Sequence, residues 1–464
     1  MKRSALTCIS MTVFLMTGPI NGLAMTNSST RTDHLEQEIS DANRYISDSS
    51  VKMEKYQAME DSSFAFYRAT NFLYYQDLDN GTIGVPTEWT TTSNINTWLS
   101  GDFHTQNVGF FDNDEGDIVF DLNDFDDSYI GPFYWDLLRY TTSIYLLKDQ
   151  LDWNLSQAEA DELAMSFLTE YQDTLTNVNG NAGETEVKMD KATVTGFIDD
   201  EIYDVTGRDA SHALNKWTVV NSSGDRQFDF SNTDLSTVDS YDLVDLEGHW
   251  SSYLQDISDK VSGWDSHYFD VKDRARRLHS GLGSLGVDKY YVLIEGPTSD
   301  TDDDQLVEVK EQLKPNMFVN SLTDASLYTN QLNGAADTAR VAYKGLQDQV
   351  DDHMGVLTGE SKSYLVRRMS PWKHGLDPVD FNTKSDLDSF VKYSAQALAY
   401  AHARADRDYQ DEFISYNFED GALQAINVWP QFKTKVVELA GCYADQVNAD
   451  YQSFLQLRQD SRLP

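Results

Sequence analysis

The segment from residue 98 to residue 127 constrains the fold of this chain more than any other. It begins with a loop, WLSGDFHTQNVG (98–109), and continues through two short apolar runs separated by the polar turn DNDEGD. Two apolar runs joined by such a turn predict a β-hairpin, whose ends lie side by side. The loop before the hairpin carries Asp102 and Asn107, and the loop after it carries Asp124. We therefore expect these three side chains to converge at the open end of the hairpin.

Two carboxylates and an amide are the side chains that phosphoryl transfer uses. One carboxylate accepts the proton of the attacking hydroxyl, while an amide oxygen and a second carboxylate hold Mg²⁺ against the phosphates. Mg²⁺ keeps several water ligands, so two protein ligands are sufficient. The alternative is a calcium-binding or structural turn, because Asp112, Asp114 and Gly116 have part of the EF-hand spacing. That glycine stands one position too early and the closing Glu is absent, which favours phosphoryl transfer.

Several stretches of the chain resemble known families. GDFHTQN followed by NDFDD is similar to the catalytic and metal-binding loops of aminoglycoside and choline kinases, in the protein-kinase-like superfamily. GDFHTQNVGFF, FDLNDFDDSYIGPFYWDLLR, the upstream FAFYRAT and the downstream AHARADRD resemble more closely the bacterial family called domain of unknown function 2252. This resemblance covers residues 61–408 and implies a kinase-like, two-lobed α+β fold.

The resemblance also implies roles for individual residues. Asp102 would be the catalytic base, and His104 would brace its loop. Asp136, in WDLLR, would be the structural carboxylate that often follows these loops in small-molecule kinases. The ligands of Mg²⁺ or Mn²⁺ would be Asn107, Asp124 and Asp126.

Three basic residues stand in or beside the matching stretches. Arg68, in FYRAT, is a candidate anion contact or else the ion-pair partner of an aspartate. His402 and Arg404, in AHARADRD, resemble family positions, and the alternative is that they brace the end of a helix. Arg367 and Arg368 are likewise candidate anion contacts or else ion-pair partners of aspartates.

A second candidate half-site lies far downstream. The run HSGLGSLG (279–286) holds Gly281, Gly283 and Gly286, and the next residues, KYYVLIE, predict a strand rather than the helix of a dinucleotide-binding fold. A glycine turn between two strands suits a flap whose backbone N–H groups cover nucleotide phosphates. Ser284 is a candidate phosphate contact or a plain turn residue.

Lys310 is central in the next predicted strand, QLVEVKE. It resembles the lysine that pairs with the phosphates of ATP, and the alternative is a surface lysine on an edge strand. Glu311 follows Lys310 directly and points to the opposite sheet face, so we expect Glu308 or a residue of the predicted helix 338–354 to be the partner.

The order of these half-sites is inverted relative to ordinary kinases, where the glycine loop and lysine come first. Circular permutation accounts for this order, because termini that lie close together tolerate it. The predicted divisions are a signal peptide (1–24), part of a mostly helical large lobe (25–265), a small antiparallel-sheet lobe (266–372) and C-terminal helices that complete the large lobe (373–464).

Hydrophobic spacing predicts the remaining elements. The predicted helices are 64–77, 135–148, 159–171, 256–278, 338–354, 387–405 and one in the last 35 residues. The predicted strands are 289–295, 305–311 and 364–369, and residues 177–242 read as loops, short strands or an insertion. The class is therefore α+β, with at least two short antiparallel sheets.

The net charge of −40 excludes some partners. Binding to nucleic acid or to anionic lipid requires a basic surface. Residues 1–24 have two basic residues, an apolar run and small residues at the end, which predicts a secretory signal peptide. The alternative is a single membrane anchor, although the apolar run is short and interrupted, and no later segment could span a bilayer. We expect export to the periplasm or the extracellular space.

The predicted function is an exported kinase-like phosphotransferase that uses ATP and Mg²⁺ on an unknown hydroxyl-bearing acceptor, a small molecule or a protein. One alternative is a catalytically inactive kinase-like module that binds nucleotide or metal in the envelope or outside the cell. A third is an acidic exported protein that binds divalent cations.

Overall fold

The computed structural model of the chain describes residues 28–181, 183–261, 263–318, 322–406 and 413–464. The predicted signal peptide lies outside these residues, and so does the end of AHARADRD (407–408). The described chain combines helices with antiparallel sheets, which confirms the predicted α+β class. Its helices include none with the length and apolar content that crossing a membrane requires.

Helices make up both ends of the described chain. Two of the long ones begin with a capping box, Ser156 with Glu159 and Thr383 with Asp386, which satisfies the free N–H groups of the first turn. In order, they are α1 (Ser28–Ala42), α2 (Ser49–Met59), α3 (Ser63–Ala69), α4 (Asn71–Asp79), α5 (Thr87–Thr90), α6 (Tyr134–Leu147), α7 (Gln157–Val178), α8 (Gly183–Glu186), α9 (Phe197–Thr206), α10 (His212–Trp217), α11 (Ser240–Asp256), α12 (Ser326–Asn330), α13 (Ala335–Leu346), α14 (Lys384–Arg404), α15 (Phe418–Val428) and α16 (Phe432–Gln459).

The strands form antiparallel sheets of two, three and six strands. The largest has the order β11-β12-β10-β9-β8-β7, and the three-stranded sheet has the order β13-β2-β3. The strands are β1 (Asn96–Trp98), β2 (Val108–Asp112), β3 (Ile118–Leu122), β4 (Ile130–Pro132), β5 (Thr218–Val220), β6 (Arg226–Phe228), β7 (Leu235–Ser236), β8 (Val271–Arg277), β9 (Lys289–Ile294), β10 (Gln305–Glu311), β11 (Gly355–Thr358), β12 (Ser363–Arg368) and β13 (His374–Gly375).

The two faces of the six-stranded sheet have different surroundings. Because side chains alternate along a strand, Tyr290 and Val292 of β9 pack with α11, while Tyr291 and Leu293 pack with α10. The second face also carries polar side chains at one end, where it opens toward the β2–β3 hairpin. A larger aromatic-rich core holds the helices α3, α4, α6, α7, α14 and α16 together.

The structure confirms most of the predicted elements. The predicted strands correspond to β9, β10 and β12, and the helices predicted at 135–148, 159–171 and 387–405 correspond to α6, α7 and α14. The helix predicted at 64–77 is instead two helices that meet at Thr70, and the one predicted at 338–354 ends at Leu346. Residues 177–242, expected to be loops, short strands or an insertion, contain the short strands β5, β6 and β7 and also the helices α8, α9 and α10.

The prediction of a helix at 256–278 is wrong. Helix α11 ends where that prediction begins, and β8 occupies residues 271–277 between β7 and β9. Three basic side chains explain the difference: Arg274 and Arg276 share one face of the sheet, and Lys272 lies at the bulge between Val271 and Asp273. They form ion pairs with acidic side chains of neighbouring elements, such as Asp304 (2.8 Å from Lys272 Nζ).

Candidate functional site

The β2–β3 hairpin brings the two polar loops together. Val108 pairs with Leu122, and beyond that pair the N–H of Asn123 donates to the carbonyl oxygen of Asn107 (3.2 Å). Gly101 then passes so close to the second loop that a Cβ there would overlap the carbonyl oxygen of Asp127. Its φ of +81° also suits glycine. The two loops therefore form one surface, as the hairpin predicted.

A buried hydrogen-bond network fixes the backbone of the first loop, residues 98–109. The Asp136 carboxylate accepts hydrogen bonds from the N–H groups of Ser100 (2.8 Å) and Gly101 (3.2 Å), and His402 Nε2 lies 3.2 Å from the same carboxylate. Tyr171 contacts the other ring nitrogen of His402 (2.8 Å). Asp136 and His402 therefore lie beneath the loop, where they support its backbone.

Asp102 lies at the tip of this loop. Its carboxylate accepts a hydrogen bond from Arg139 Nε (2.6 Å) and has His104 Nε2 at 3.9 Å. Burial, opposed by Arg139 and assisted by the charge of Asp127, raises the pKa of Asp102 to about 7. Burial and the neighbouring arginines hold the pKa of His104 well below its usual range, so this ring is neutral. A carboxylate with a pKa near neutrality can accept a proton at physiological pH.

Asn107 and Asp124 offer oxygen atoms without protein donors. Asn107 Nδ2 donates to the carbonyl oxygen of Asp102 (2.8 Å), and its Oδ1 receives no hydrogen bond from the described residues. Asp124 Oδ1 accepts from the N–H of Asp126 (3.2 Å). Burial works to raise the pKa of Asp124, but Lys310, that N–H, Arg367 and Lys373 outweigh it, so the pKa lies below its ordinary value and the group is ionised.

Lys310 forms an ion pair with Asp126, across the gap between the sheet and the second loop. The expected partner, Glu308, instead pairs with Arg367 (3.0 Å), because the two are cross-strand neighbours on β10 and β12. The expected partner on the helix after residue 338 is also absent from the described ion pairs of Lys310. Glu311 points away and contacts Lys362.

The glycine-rich run forms a turn between β8 and β9. Gly281 has a φ of +75° and Gly286 a φ of +92°, and Ile46 lies against Gly286, where a Cβ would come within 2.7 Å. Helix α2 and the segment before it hold this turn. Lys55 Nζ donates to the carbonyl oxygen of Gly283 (2.8 Å), and Tyr45 Oη donates to that of Leu285 (2.9 Å). The turn is therefore anchored from outside the sheet.

Two adjoining cavities lie where these parts meet. The large cavity, of about 490 Å³, lies between the polar face of the sheet and the hairpin; the small cavity, of about 190 Å³, lies beside Asp102. Asn107, Asp124, Gly281 and Ser284 line both. The candidate residues that the structure brings to these cavities are Arg68, Asp102, His104, Asn107, Asp124, Asp126, Gly281, Gly283, Ser284 and Lys310.

The other candidates lie elsewhere. Gly286 packs on Ile46, outside the lining of both cavities. Arg404 is buried, donates to the carbonyl oxygen of Leu346 (2.7 Å) and pairs with Asp121 (3.3 Å), so it joins α14 to the hairpin. With Asp136 and His402, these residues support the site from behind.

The large cavity reverses the charge balance of the chain. Its described lining contains four carboxylates, Asp112, Asp124, Glu308 and Asp351, and seven Lys or Arg side chains: Lys216, Arg277, Lys289, Lys310, Arg367, Arg368 and Lys373. The whole chain has 76 acidic and 36 basic residues. This local excess of cations favours a ligand that carries several negative charges.

Three of these cations, Lys216, Lys289 and Lys373, have no carboxylate within ion-pair distance among the described residues, and two of the three have a lowered pKa. Lys289 is buried and donates to Ser280 Oγ (2.8 Å); burial and the charge of Lys310 lower its pKa to about 8. The charge of Arg367, and then burial, lower the pKa of Lys373 to about 8. A bound anion would supply the missing counter-charge for both lysines.

Sequence reasoning missed several residues of the site, and three of them show why. Lys289 had a readable signal, because it begins a strand and its side chain shares the sheet face of Lys310, its register partner. Arg139 stands in the quoted WDLLR, but its pairing with Asp102 depends on how α6 packs. Lys373 follows β12 in an irregular segment and carries no pattern.

The family model described as "Uncharacterized protein conserved in bacteria (DUF2252)" matches residues 48–457. Comparison with curated proteins and with solved structures found no match. The family match contains both loops of the hairpin, the glycine-rich turn and every cation of the large cavity. Because it covers most of the sequence, the chain belongs to the DUF2252 family.

Proposed function

We propose that this protein is a kinase-like phosphotransferase, which uses ATP with Mg²⁺ or Mn²⁺ to phosphorylate a hydroxyl-bearing acceptor. In this proposal the six-stranded sheet corresponds to the small lobe of a kinase and the helical core to its large lobe, in permuted order. One observation carries the proposal: a cation-lined cavity under a glycine-rich turn opens directly onto the loops that hold Asp102, Asn107 and Asp124.

The oxygen donors fit a hard divalent cation. Asn107 and Asp124 each present an oxygen without a protein donor among the described residues, and Asp124 is ionised. The described residues hold no cluster of three or more His, Cys, Asp or Glu side chains arranged for a metal. These two residues would therefore hold the cation together with phosphate oxygens and water. Bound there, it would neutralise phosphate charge and orient the terminal phosphate.

The residues of the chain then have separate roles. Lys289, Lys310 and Arg367 share the polar sheet face and would bind the phosphates of the nucleotide. Backbone N–H groups of the turn at 281–284 would cover those phosphates. Asp102 would accept the proton of the acceptor hydroxyl, and the Asp136 network would keep its loop in place.

One observation favours the alternative of an inactive binding module. Arg139 donates to the Asp102 carboxylate at 2.6 Å, and this pairing opposes the rise in pKa that makes Asp102 a usable base and occupies one of its oxygens. The protein would then bind nucleotide or metal without turnover. The two proposals share the large cavity and differ only in the use of Asp102.

Incubation of the mature protein with labelled ATP and Mg²⁺ or Mn²⁺ separates them. We expect transfer of label to a hydroxyl acceptor, to the protein or to water, and D102N should lose this transfer while it keeps nucleotide binding. K310M should lose nucleotide binding, because Lys310 lies in the cavity. D117N, on the exposed hairpin turn, is the charge-matched control for D102N. Nucleotide binding by the wild-type protein and by D102N, without any transfer of label, would support the inactive module. Absence of nucleotide binding by the wild-type protein would reject both proposals.

We also propose export to the periplasm or extracellular space, supported by the sequence of residues 1–24. Fractionation of cells that produce the full chain tests it. The mature protein should begin near residue 25 and lie outside the cytoplasm. Full-length protein in the cytoplasm would contradict the proposal.

A further inference from the structure

The small cavity beside Asp102 has a charge pattern of its own. Its acidic lining is mostly committed to protein partners: Asp126 pairs with Lys310, and Asp102 is held by Arg139. Asp127 accepts hydrogen bonds from Asn71 Nδ2 (2.8 Å) and from both the N–H (2.8 Å) and the Nδ2 (2.9 Å) of Asn316. Glu311 pairs with Lys362, and Asp124, the remaining carboxylate of the lining, is assigned above to the divalent cation.

The basic residues of the small cavity differ in their charge and in how many protein partners they have. Lys55 donates to the carbonyl oxygen of Gly283 and to Tyr45 Oη (3.0 Å), and burial lowers its pKa to about 7, so it carries only part of a charge at neutral pH. Lys314 is exposed at the rim and lies over the ring of Phe318. Neither presents a full, free cation near Asp102.

Arg68 presents a full, free cation near Asp102. It lies in the last turn of α3, with its guanidinium 5.8 Å from the centre of the Phe64 ring. Among the described residues its guanidinium has no ion pair, and its Nε is buried without a hydrogen-bond partner. A guanidinium keeps its charge even when buried, so a site of this kind lacks an anion. The charged groups that act on it include Asp102 and Asp124.

We propose that the acceptor of the phosphotransferase is an anionic hydroxyl compound, whose carboxylate or phosphate oxygens pair with Arg68 while its hydroxyl reaches Asp102. The proposal rests on the function proposed above and names its substrate class. In the transfer, the acceptor oxygen bonds to the terminal phosphorus, the bond from that phosphorus to the bridging oxygen of ADP breaks, and the hydroxyl proton passes to Asp102. An acceptor with a cationic amine would face Arg68 and Lys314 instead.

Acceptors that share a scaffold and differ in charge test this inference. Glucose, glucuronate and glucosamine form one set, and glycerol, glycerate and serinol form another. With labelled ATP and Mg²⁺, we expect the anionic member of a set to have a KM at least about tenfold below that of its neutral partner, since a buried charge-assisted pair is stronger than a neutral contact. Arg68→Gln should bring this ratio close to one, and Arg462→Gln, the charge-matched control outside both cavities, should leave it unchanged.

Arg68→Lys guards against a variant that fails to fold. It keeps the charge but loses the forked geometry, so it should retain part of the preference; circular dichroism checks the fold of each variant. Preference for the neutral or cationic member, or an equal loss for all members in Arg68→Gln, would overturn the inference while leaving phosphotransfer intact.

A second readout separates the two proposals if no label is transferred. Thermal unfolding is then measured with the same compounds and no nucleotide. Stabilisation by glucuronate or glycerate that Arg68→Gln removes would support the anion site although phosphotransfer had failed. Equal effects of the anionic and neutral compounds would overturn the anion site.

Discussion

At the scale of single residues, Lys289 is the most informative group of the large cavity. It is buried next to Lys310 without a carboxylate partner, and its pKa is lowered to about 8. A bound polyanion favours the protonated amine and raises this pKa, so binding above neutral pH must take up protons. The pKa of Lys373 is also lowered to about 8, mainly by the charge of Arg367, but its side chain is exposed and solvent screens that repulsion, so we expect Lys289 to dominate.

We therefore expect the affinity for Mg-ATP to fall as the pH rises through about 8, by up to about tenfold per pH unit for one titrating lysine. Calorimetry in two buffers with different ionisation enthalpies measures the proton uptake directly. Lys289→Met should remove most of the uptake. An affinity that stays constant between pH 7 and 9.5 would contradict this assignment.

The sequence reveals some residues of the site better than others. Asp102, Asn107 and Asp124 were predictable because they flank one hairpin, so a local turn is enough to bring them together. Lys310 was predictable from its strand, but its partner Asp126 was not, because that contact joins segments 184 positions apart. Arg139 and Lys373 belong to the same class, since tertiary packing alone gives them their neighbours.

At the scale of elements, the close crossing of the two loops depends on Gly101. An alanine there would adopt an unfavourable left-handed φ and would also overlap the backbone of Asp127. Gly116 has almost the same φ, +83°, with no atom within 4 Å of its Cβ position. The pair therefore separates backbone strain from steric overlap.

We expect G116A to lower the free energy of unfolding by about 1 kcal/mol, the cost of a left-handed residue. G101A should lower it by roughly 3 kcal/mol or more, because backbone displacement adds to that cost. Urea denaturation of both variants measures the difference. Equal losses would show that the two loops separate without cost.

Element prediction succeeded where the pattern is local. Strands β9 and β10 have long apolar or alternating runs, and α7 and α14 have capping boxes and helical spacing, so sequence alone locates them. The prediction failed for β8 because its arginines and lysine have good helix propensity. Its extended form depends on the neighbours β7 and β9 and on acidic partners such as Asp288, which only the assembled sheet provides.

At the scale of the whole molecule, charge repulsion opposes the folded state. With 76 acidic and 36 basic residues, 40 carboxylates have no basic counterpart even if every cation is paired. Salt shortens the Debye length from about 30 Å at 0.01 M to about 10 Å at 0.1 M, which weakens this long-range repulsion. It also weakens the surface ion pairs, but each of those contributes little.

We expect Tm to rise by roughly 5 °C between about 0.01 M and 0.5 M NaCl, because relief of repulsion outweighs the loss of surface pairs. Differential scanning calorimetry measures it. KCl should give the same shift as NaCl if screening is the cause. A Tm that falls with salt would show that the surface ion pairs dominate.

The walls of the two cavities come from distant parts of the chain, from Arg68 in α3 to Lys373 after β12. A ribosome makes the chain from its N-terminus, so the loop with Asp102 exists long before the lysines that complete the large cavity. Under the proposed function, a nascent chain could not bind nucleotide until synthesis had passed residue 373. If the chain is exported unfolded, as proposed, its large cavity forms only on the far side of the membrane, away from the ATP of the cytoplasm.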